Sequence, residues 1–194
     1  MKVLLLEKLP ESCGALPAAE FPASVCLPDS AIVAQGKPIF IPHCAEGFSL
    51  FFCPVLRITR LGKTIAERFA PRYYSEIAPM VRLAPAADPF GVTAAVAAGD
   101  FMASLGNFTP LPAGGSAVFT FEGSLMESSL TIPFPDLRRD MDRAVSLLSR
   151  IMTLRNGDLI SPSTLILPSA RIPVPGLTLE VRSGDGTLSR FRFK

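Results

Sequence analysis

Tryptophan is absent, histidine occurs once, and only 19% of the 194 residues are charged. The apolar runs stay well short of the ~18 residues that a membrane-spanning helix needs. Nineteen basic residues against 17 acidic ones leave a net charge of +2, too balanced to draw the chain onto nucleic acid or an anionic membrane. Basic residues gather only at the C-terminus (Arg182, Arg190, Arg192, Lys194), where "RFRFK" alternates apolar and charged positions. That is the pattern of a closing strand with one wet face. No C-x-x-C spacing links Cys13, Cys26, Cys44 and Cys53. The opening "MKVLLLEKLPES" meets a charge at Glu7, too early for the apolar stretch of a secretory signal. Reduced thiols in a cytoplasmic protein are therefore expected.

What is present is a long apolar inventory, 48% of the residues. A chain of this length forms one domain that buries roughly 70% of its unfolded surface. "MKVLLL" reads as a buried strand, residues 9–30 as loop, and "GKPIFIP" (Gly36–Pro42) as a short strand between prolines. "SLFFCPVLRITR" (Ser49–Arg60) is a further strand, with Pro54 expected at a sheet edge or bulge. "IAERFAPRYYSEI" (Ile65–Ile77) starts as a helix and breaks at Pro71, and residues 78–100 read as loop, with Arg82 turned to solvent. "SAVFTFEGSLMESSLTI" (Ser116–Ile132) is a hairpin turning near Glu122-Gly123. Helical spacing of Leu137, Met141, Ala144, Leu148 and Ile151 predicts a helix over Pro135–Leu154, stopped by Asn156-Gly157. At least three strands follow, the last two turning at Gly184-Asp185-Gly186. The fold class is α+β, mostly β, with about two helices.

The Ser49–Arg60 strand also lacks something. Between Ile41 and Ala66 the only acid is Glu46. Yet "VLRITRLGKTIAERFAPRYY" (Val55–Tyr74) resembles the R-I-x-R-x-G-K-x-I strand-turn and A-x-x-Y-Y pattern of the fumarylacetoacetate hydrolase family, its small bacterial members above all. "LPDSAIVAQGKPIFIP" (Leu27–Pro42), "GDFMASLGNF" (Gly99–Phe108) and the block ending "TLRNGDLI" (Thr153–Ile160) resemble further family motifs in the same order. Residues 1–26 form a divergent N-terminal strand and loop.

The resemblance implies a mixed β-roll, a homodimer, and three carboxylates holding Mg²⁺ or Mn²⁺ for cleavage or decarboxylation of small keto acids. Its E-x-E pair falls on Phe51 and Cys53, and its third ligand on Arg82. Phenylalanine has no lone pair to offer, a thiol is too soft for Mg²⁺, and a guanidinium repels it. Glu76 or Asp88 could stand in for one ligand, but one carboxylate makes no magnesium site. The family's loop histidine falls near Cys13, two of its lysines fall on Leu27 and Ala97, its lid is the shorter "APAADPFGV" (Ala84–Val92), and its T-G-T-P loop is "SPST" (Ser161–Thr164). Around the pocket the resemblance places Cys13, Arg82, Asp100, Ser163 and Thr164. A hydrolytic pair of His43 and Cys44 lacks an orienting acid, and Cys53 reads as a small buried hydrophobe.

Three readings follow. The first, which the substitutions favour, is a non-catalytic structural or regulatory homologue without cofactor, dimeric and partnered at most by an active relative. The second is a metal-independent module that binds small carboxylates through Arg82. The third is a hydrolase or decarboxylase with a rebuilt site.

Overall fold

The computed structural model describes residues 1–6, 24–34, 36–43, 47–85, 99–111, 116–123, 126–163, 165–166, 175–183 and 186–194. Strands β1 (Lys2–Leu6), β2 (Ser24–Pro28), β3 (Ile32–Val33), β4 (Phe48–Ile58), β5 (Tyr74–Pro85), β6 (Ala103–Leu105) and β7 (Thr109–Pro110) precede a hairpin of β8 (Ser116–Gly123) and β9 (Met126–Pro133). Helix α1 (Phe134–Ile151) follows, then β10 (Leu159–Ser161), β11 (Leu165–Ile166), β12 (Thr178–Ser183) and β13 (Gly186–Arg192). The larger sheet runs β2-β1-β10-β4-β5-β6-β3, with β11 beside β4 and β7 beside β5; the smaller runs β13-β12-β8-β9. The mostly β class expected from the sequence is what the chain adopts. Among the described residues no helix is long and apolar enough to cross a membrane.

Strand β4 is the axis of the larger sheet. Side chains alternate across a strand, and both faces of β4 are apolar. Phe48, Leu50, Phe52 and Leu56 join a core with Leu137, Met141, Ala144, Val145 and Leu148 of α1 and Leu179 and Phe191 of the smaller sheet. Phe51, Cys53 and Val55 face a second cluster that includes Val3, Leu5, Met80 and Ala103. Ile151, expected on the buried helix face, is exposed at the end of α1, and Val145 is buried instead.

Four local expectations are corrected. Residues 74–85 form β5, not loop or helix, because ten residues of β4 pair with them in register from Phe48↔Pro85 to Ile58↔Tyr74. Such pairing overrides weak propensity at Ala78, Pro79 and Ala84. The helix expected from Ile65 is a 3-10 turn, Glu67–Arg72, which admits Pro71. Residues 24–28 pair with β1 as strand β2. "GKPIFIP" supplies a single bridge, Ile39 to Phe193, although its backbone exchanges three hydrogen bonds with the C-terminal residues (Ile39 N–H to Arg192, Ile41 N–H to Lys194, Lys194 N–H to Ile39).

Pro54 lies neither at an edge nor at the bulge. It stands opposite Pro79, so the two form a pair that exchanges no hydrogen bonds, and each missing N–H faces away from the other strand. On the far side of β4 the partner strand is interrupted there: β10 covers Leu56 and Arg57, and β11 covers Phe51 and Phe52. On the far side of β5, β6 covers Met80–Arg82 and β7 covers Glu76 and Ile77. Pro54 therefore sits in the gap between β10 and β11, and Pro79, just past the end of β6, needs no N–H there: its carbonyl accepts from Gly106 N–H at 2.8 Å.

Candidate functional site

The three positions assigned to metal ligands by the family resemblance lie together. Phe51 is directly opposite Arg82 on the β4–β5 ladder, and Cys53 is two pairs further on, opposite Met80. Residues opposite one another on a ladder share a face, and here that face carries the second apolar cluster. Cys53 and Met80 are fully buried, and Phe51 packs against the cluster as a half-buried ring. Ala103, paired with Arg82 from β6, extends the apolar lining.

Arg82 is not turned to solvent. It is 4% exposed, because the segment expected to be loop is an internal strand. Its guanidinium carbon stands 4.9 Å from the centre of the Phe51 ring. Its Nε is buried and has no hydrogen-bond partner among the described residues. A guanidinium over an aromatic face gains about 1–2 kcal/mol when desolvated, whereas an ion buried without a counter-charge costs several kcal/mol. The ring does not offset the burial.

The donor set does not fit Mg²⁺ or Mn²⁺. A phenyl ring, a thiol and a guanidinium stand where hard oxygen ligands are required, and the described residues contain no group of three or more His, Cys, Asp or Glu able to hold a metal. Glu76, one of the two substitute ligands, is ion-paired to Arg57, whose guanidinium lies 4.4 Å from the Phe108 ring centre. Asp88 and Glu46 lie outside the described residues.

The other expected site residues are less gathered. Asp100 is exposed in the turn before β6, and among the described residues it makes no ion pair with Arg82. Ser163 is half-buried between β10 and β11, and its carbonyl accepts a hydrogen bond from Ser161 Oγ at 2.7 Å. His43 is exposed. Cys13, Cys44 and Thr164 lie outside the described residues.

Two polar constellations went unread in the sequence, although family motifs carry both. Asp158, the acid of "GDLI", accepts hydrogen bonds from the backbone N–H of Lys2 at 2.9 Å and of Arg155 at 2.8 Å, and pairs with Lys2 Nζ at 2.8 Å. Burial pushes its pKa up, but the Lys2 and Arg155 hydrogen bonds and the Lys2 charge outweigh that and hold it below the usual carboxylate range. Tyr74, the second tyrosine of "YY", donates its hydroxyl to Asp142 of α1 at 2.8 Å. Burial first, then the Asp142 carboxylate, pushes that phenol well above its ordinary value. These pairs tie β1 to the turn after α1 and β5 to α1 itself.

No family model matches the chain, and no curated protein matches it in sequence. Solved structures do. One is 5-carboxymethyl-2-hydroxymuconate delta-isomerase from Mycobacterium smegmatis, at TM-score 0.78 and 20% identity over 99% of this chain and 78% of that one. Another is a protein assigned to the fumarylacetoacetate hydrolase family from Yersinia pestis CO92, at TM-score 0.75 and 17% identity over 100% and 92%. A third is fumarylpyruvate hydrolase from Pseudomonas aeruginosa, solved with Mn²⁺ and pyruvate, at TM-score 0.69 and 19% identity over 100% and 89%. The chain has the fold of these proteins, at identities that mark a divergent sequence.

Proposed function

We propose that this chain is a divergent member of the fumarylacetoacetate hydrolase family in which the former metal position has become a metal-independent binding site for a small carboxylate. The observation that carries this reading is Arg82: 4% exposed, at a ligand position, with Nε unpartnered among the described residues. A metal ion presents positive charge to a substrate oxygen; a guanidinium presents it as a planar fork that donates two parallel hydrogen bonds to a carboxylate. The Phe51 ring lies beneath that fork, its centre 4.9 Å from the guanidinium carbon. Support also comes from the Pseudomonas aeruginosa protein, which carries Mn²⁺ and pyruvate in the same fold.

The reading is of binding without hydrolysis or isomerisation. Among the described residues the face offers Phe51, Cys53, Val55 and Met80, and its one acid, Glu76, is committed to Arg57. A second reading, a structural or regulatory homologue that forms a homodimer or pairs with an active relative, draws on the complete burial of Cys53 and Val55. Light scattering of the purified chain, alone and mixed with such a relative, tests it.

Thermal unfolding with EDTA, Mg²⁺, Mn²⁺ and pyruvate tests the first. Pyruvate at a hundred times its Kd adds about 2.7 kcal/mol, or roughly 5–10 °C for a chain of this size, while metals and EDTA change nothing. A rise with Mn²⁺ that EDTA reverses would return the metal-dependent enzyme.

A further inference from the structure

Independently of the Arg82 site, we infer that the surface formed by residues 59–72 and 149–157 docks an acidic segment of a partner protein, its carboxylates spaced by apolar residues. The two stretches are far apart in sequence, and the backbone brings them together. Gly62 and Leu154 exchange two hydrogen bonds, at 3.0 and 2.8 Å, and Thr64 N–H donates to the Ser149 carbonyl at 2.8 Å. Thr59 N–H donates to the Tyr73 carbonyl at 2.8 Å, which brings Arg60 alongside Arg72. Arg60, Lys63, Arg68, Arg72, Arg150 and Arg155 are all exposed on these stretches. The one acid there is Glu67, and it is paired with Arg143 at 3.7 Å. A chain whose net charge is only +2 thus presents six cations on one surface. The sequence scatters them and the fold gathers them.

Three large apolar side chains stand exposed among the cations: Leu61 at 71%, Ile151 at 53% and Phe69 at 38%. Five of the six cations are arginine. Arginine and aromatic residues are enriched where proteins meet, and lysine is depleted there. Each guanidinium also donates two parallel hydrogen bonds to a carboxylate that reaches it. Other occupants fit this surface less well. The Arg68 and Arg72 guanidiniums lie over the Phe69 ring, 4.7 and 4.9 Å from its centre. A bilayer would have to take two guanidiniums with that ring, and these resist leaving water. A nucleobase finds the ring already covered and has no platform to stack on. A second copy of the same surface sets cation against cation. An acidic segment satisfies the forks, and the apolar residues between its carboxylates cover Leu61 and Ile151.

The test is fluorescence anisotropy of the full chain at neutral pH with a labelled peptide of repeating Glu-Leu-Glu-Phe. Its Gln-Leu-Gln-Phe counterpart, phosphatidylglycerol vesicles and duplex RNA serve as the alternatives. The Glu peptide is expected to bind saturably and the Gln peptide not at all. Arg60→Gln with Arg155→Gln should weaken binding about ten-fold. Lys37→Gln with Lys194→Gln removes the same charge from exposed positions elsewhere and should leave the Kd within about two-fold. Leu61→Ser should weaken binding about five-fold. Excess pyruvate, the probe of the Arg82 site, should not displace the peptide. All these positions are exposed, and circular dichroism checks that each variant is folded.

Equal losses from the two pairs of charge substitutions would assign the binding to net charge and overturn the docking surface. So would an unchanged Kd for Leu61→Ser, or displacement by pyruvate, which would move the peptide to the Arg82 site. Vesicles or RNA bound in place of the peptide overturn the choice of a protein partner, and binding of no probe overturns the proposal outright. None of these results bears on whether pyruvate itself binds at Arg82.

Discussion

Asp158 and Arg82 are both charged side chains in the interior, 2% and 4% exposed, and their surroundings could hardly differ more. The carboxylate of Asp158 is met by two backbone N–H groups and the Lys2 ammonium. Arg82 has an aromatic ring beneath it and an Nε without an acceptor among the described residues. A buried charge whose partners are complete belongs to the architecture: here it fastens β1 to the turn that follows α1. A buried charge whose partners are incomplete imposes a cost on folding that the scaffold alone does not repay, and this cost is what the proposed carboxylate would offset. The segments resembling the family have diverged along the same line. "GDLI", which serves the scaffold, matches the family motif, whereas the positions at which the resemblance places metal ligands carry Phe51, Cys53 and Arg82.

The contrast breaks most readily at Asp158. Asp158→Ala strands Lys2 and two backbone donors, and should cost about 3 kcal/mol, read as a melting temperature lower by roughly 6–12 °C. A loss under 1 kcal/mol would mean that the two buried charges do not differ in kind. Its acid limb gives an independent reading. The folded pKa of Asp158 lies below its ordinary value, so its stabilisation is fully present above an unfolded pKa of about 3.9 and is lost as pH falls through the folded value. Asp158→Asn should flatten that part of the acid unfolding curve.

Restoring the acids sharpens the other side. Phe51→Glu, Cys53→Glu and Arg82→Asp together should create a Mn²⁺ response worth about 2.7 kcal/mol at a hundred times the Kd, measured by thermal shift with circular dichroism as the check on folding. A folded triple variant indifferent to Mn²⁺ would show that β4 and β5 do not carry the ligand positions of the family. The smallest effect is expected at Tyr74→Phe, which removes one hydrogen bond to Asp142 and costs about 1 kcal/mol at neutral pH. The phenol is more easily ionised unfolded than folded. Its stabilisation therefore holds below an unfolded pKa of about 10 and declines as pH rises above it. The variant should lose that alkaline decline.

The sequence shows the frame better than the site. Alternation in "RFRF", helical spacing from Leu137 to Leu148 and the Asn156-Gly157 stop are local signals, and local signals survive in one sequence. Strand β5 is different: Ala78, Pro79 and Ala84 have poor strand propensity, and the segment is extended because β4 lies beside it. Arg82 was misplaced for that reason alone, since a loop arginine is exposed and a strand arginine facing a cluster is not. The family resemblance, which follows local motifs on either side of Tyr74, places its ligand positions on Phe51 and Arg82, and the β4–β5 ladder sets these two opposite one another. The roles of Asp158 and Tyr74 could not be read without their partners, 156 and 68 residues away in the chain.

Pro54 and Pro79 have a consequence for assembly of the site. A strand slipped by one residue turns every side chain to the opposite face, and in β4 that error would be hard to detect, because both faces are apolar. With the prolines opposed, a one-residue slip would aim a pyrrolidine ring, instead of an amide hydrogen, at the neighbouring strand. The pair works as a key that enters its lock only one way up. It holds Phe51 on the side of the sheet where Arg82 is waiting.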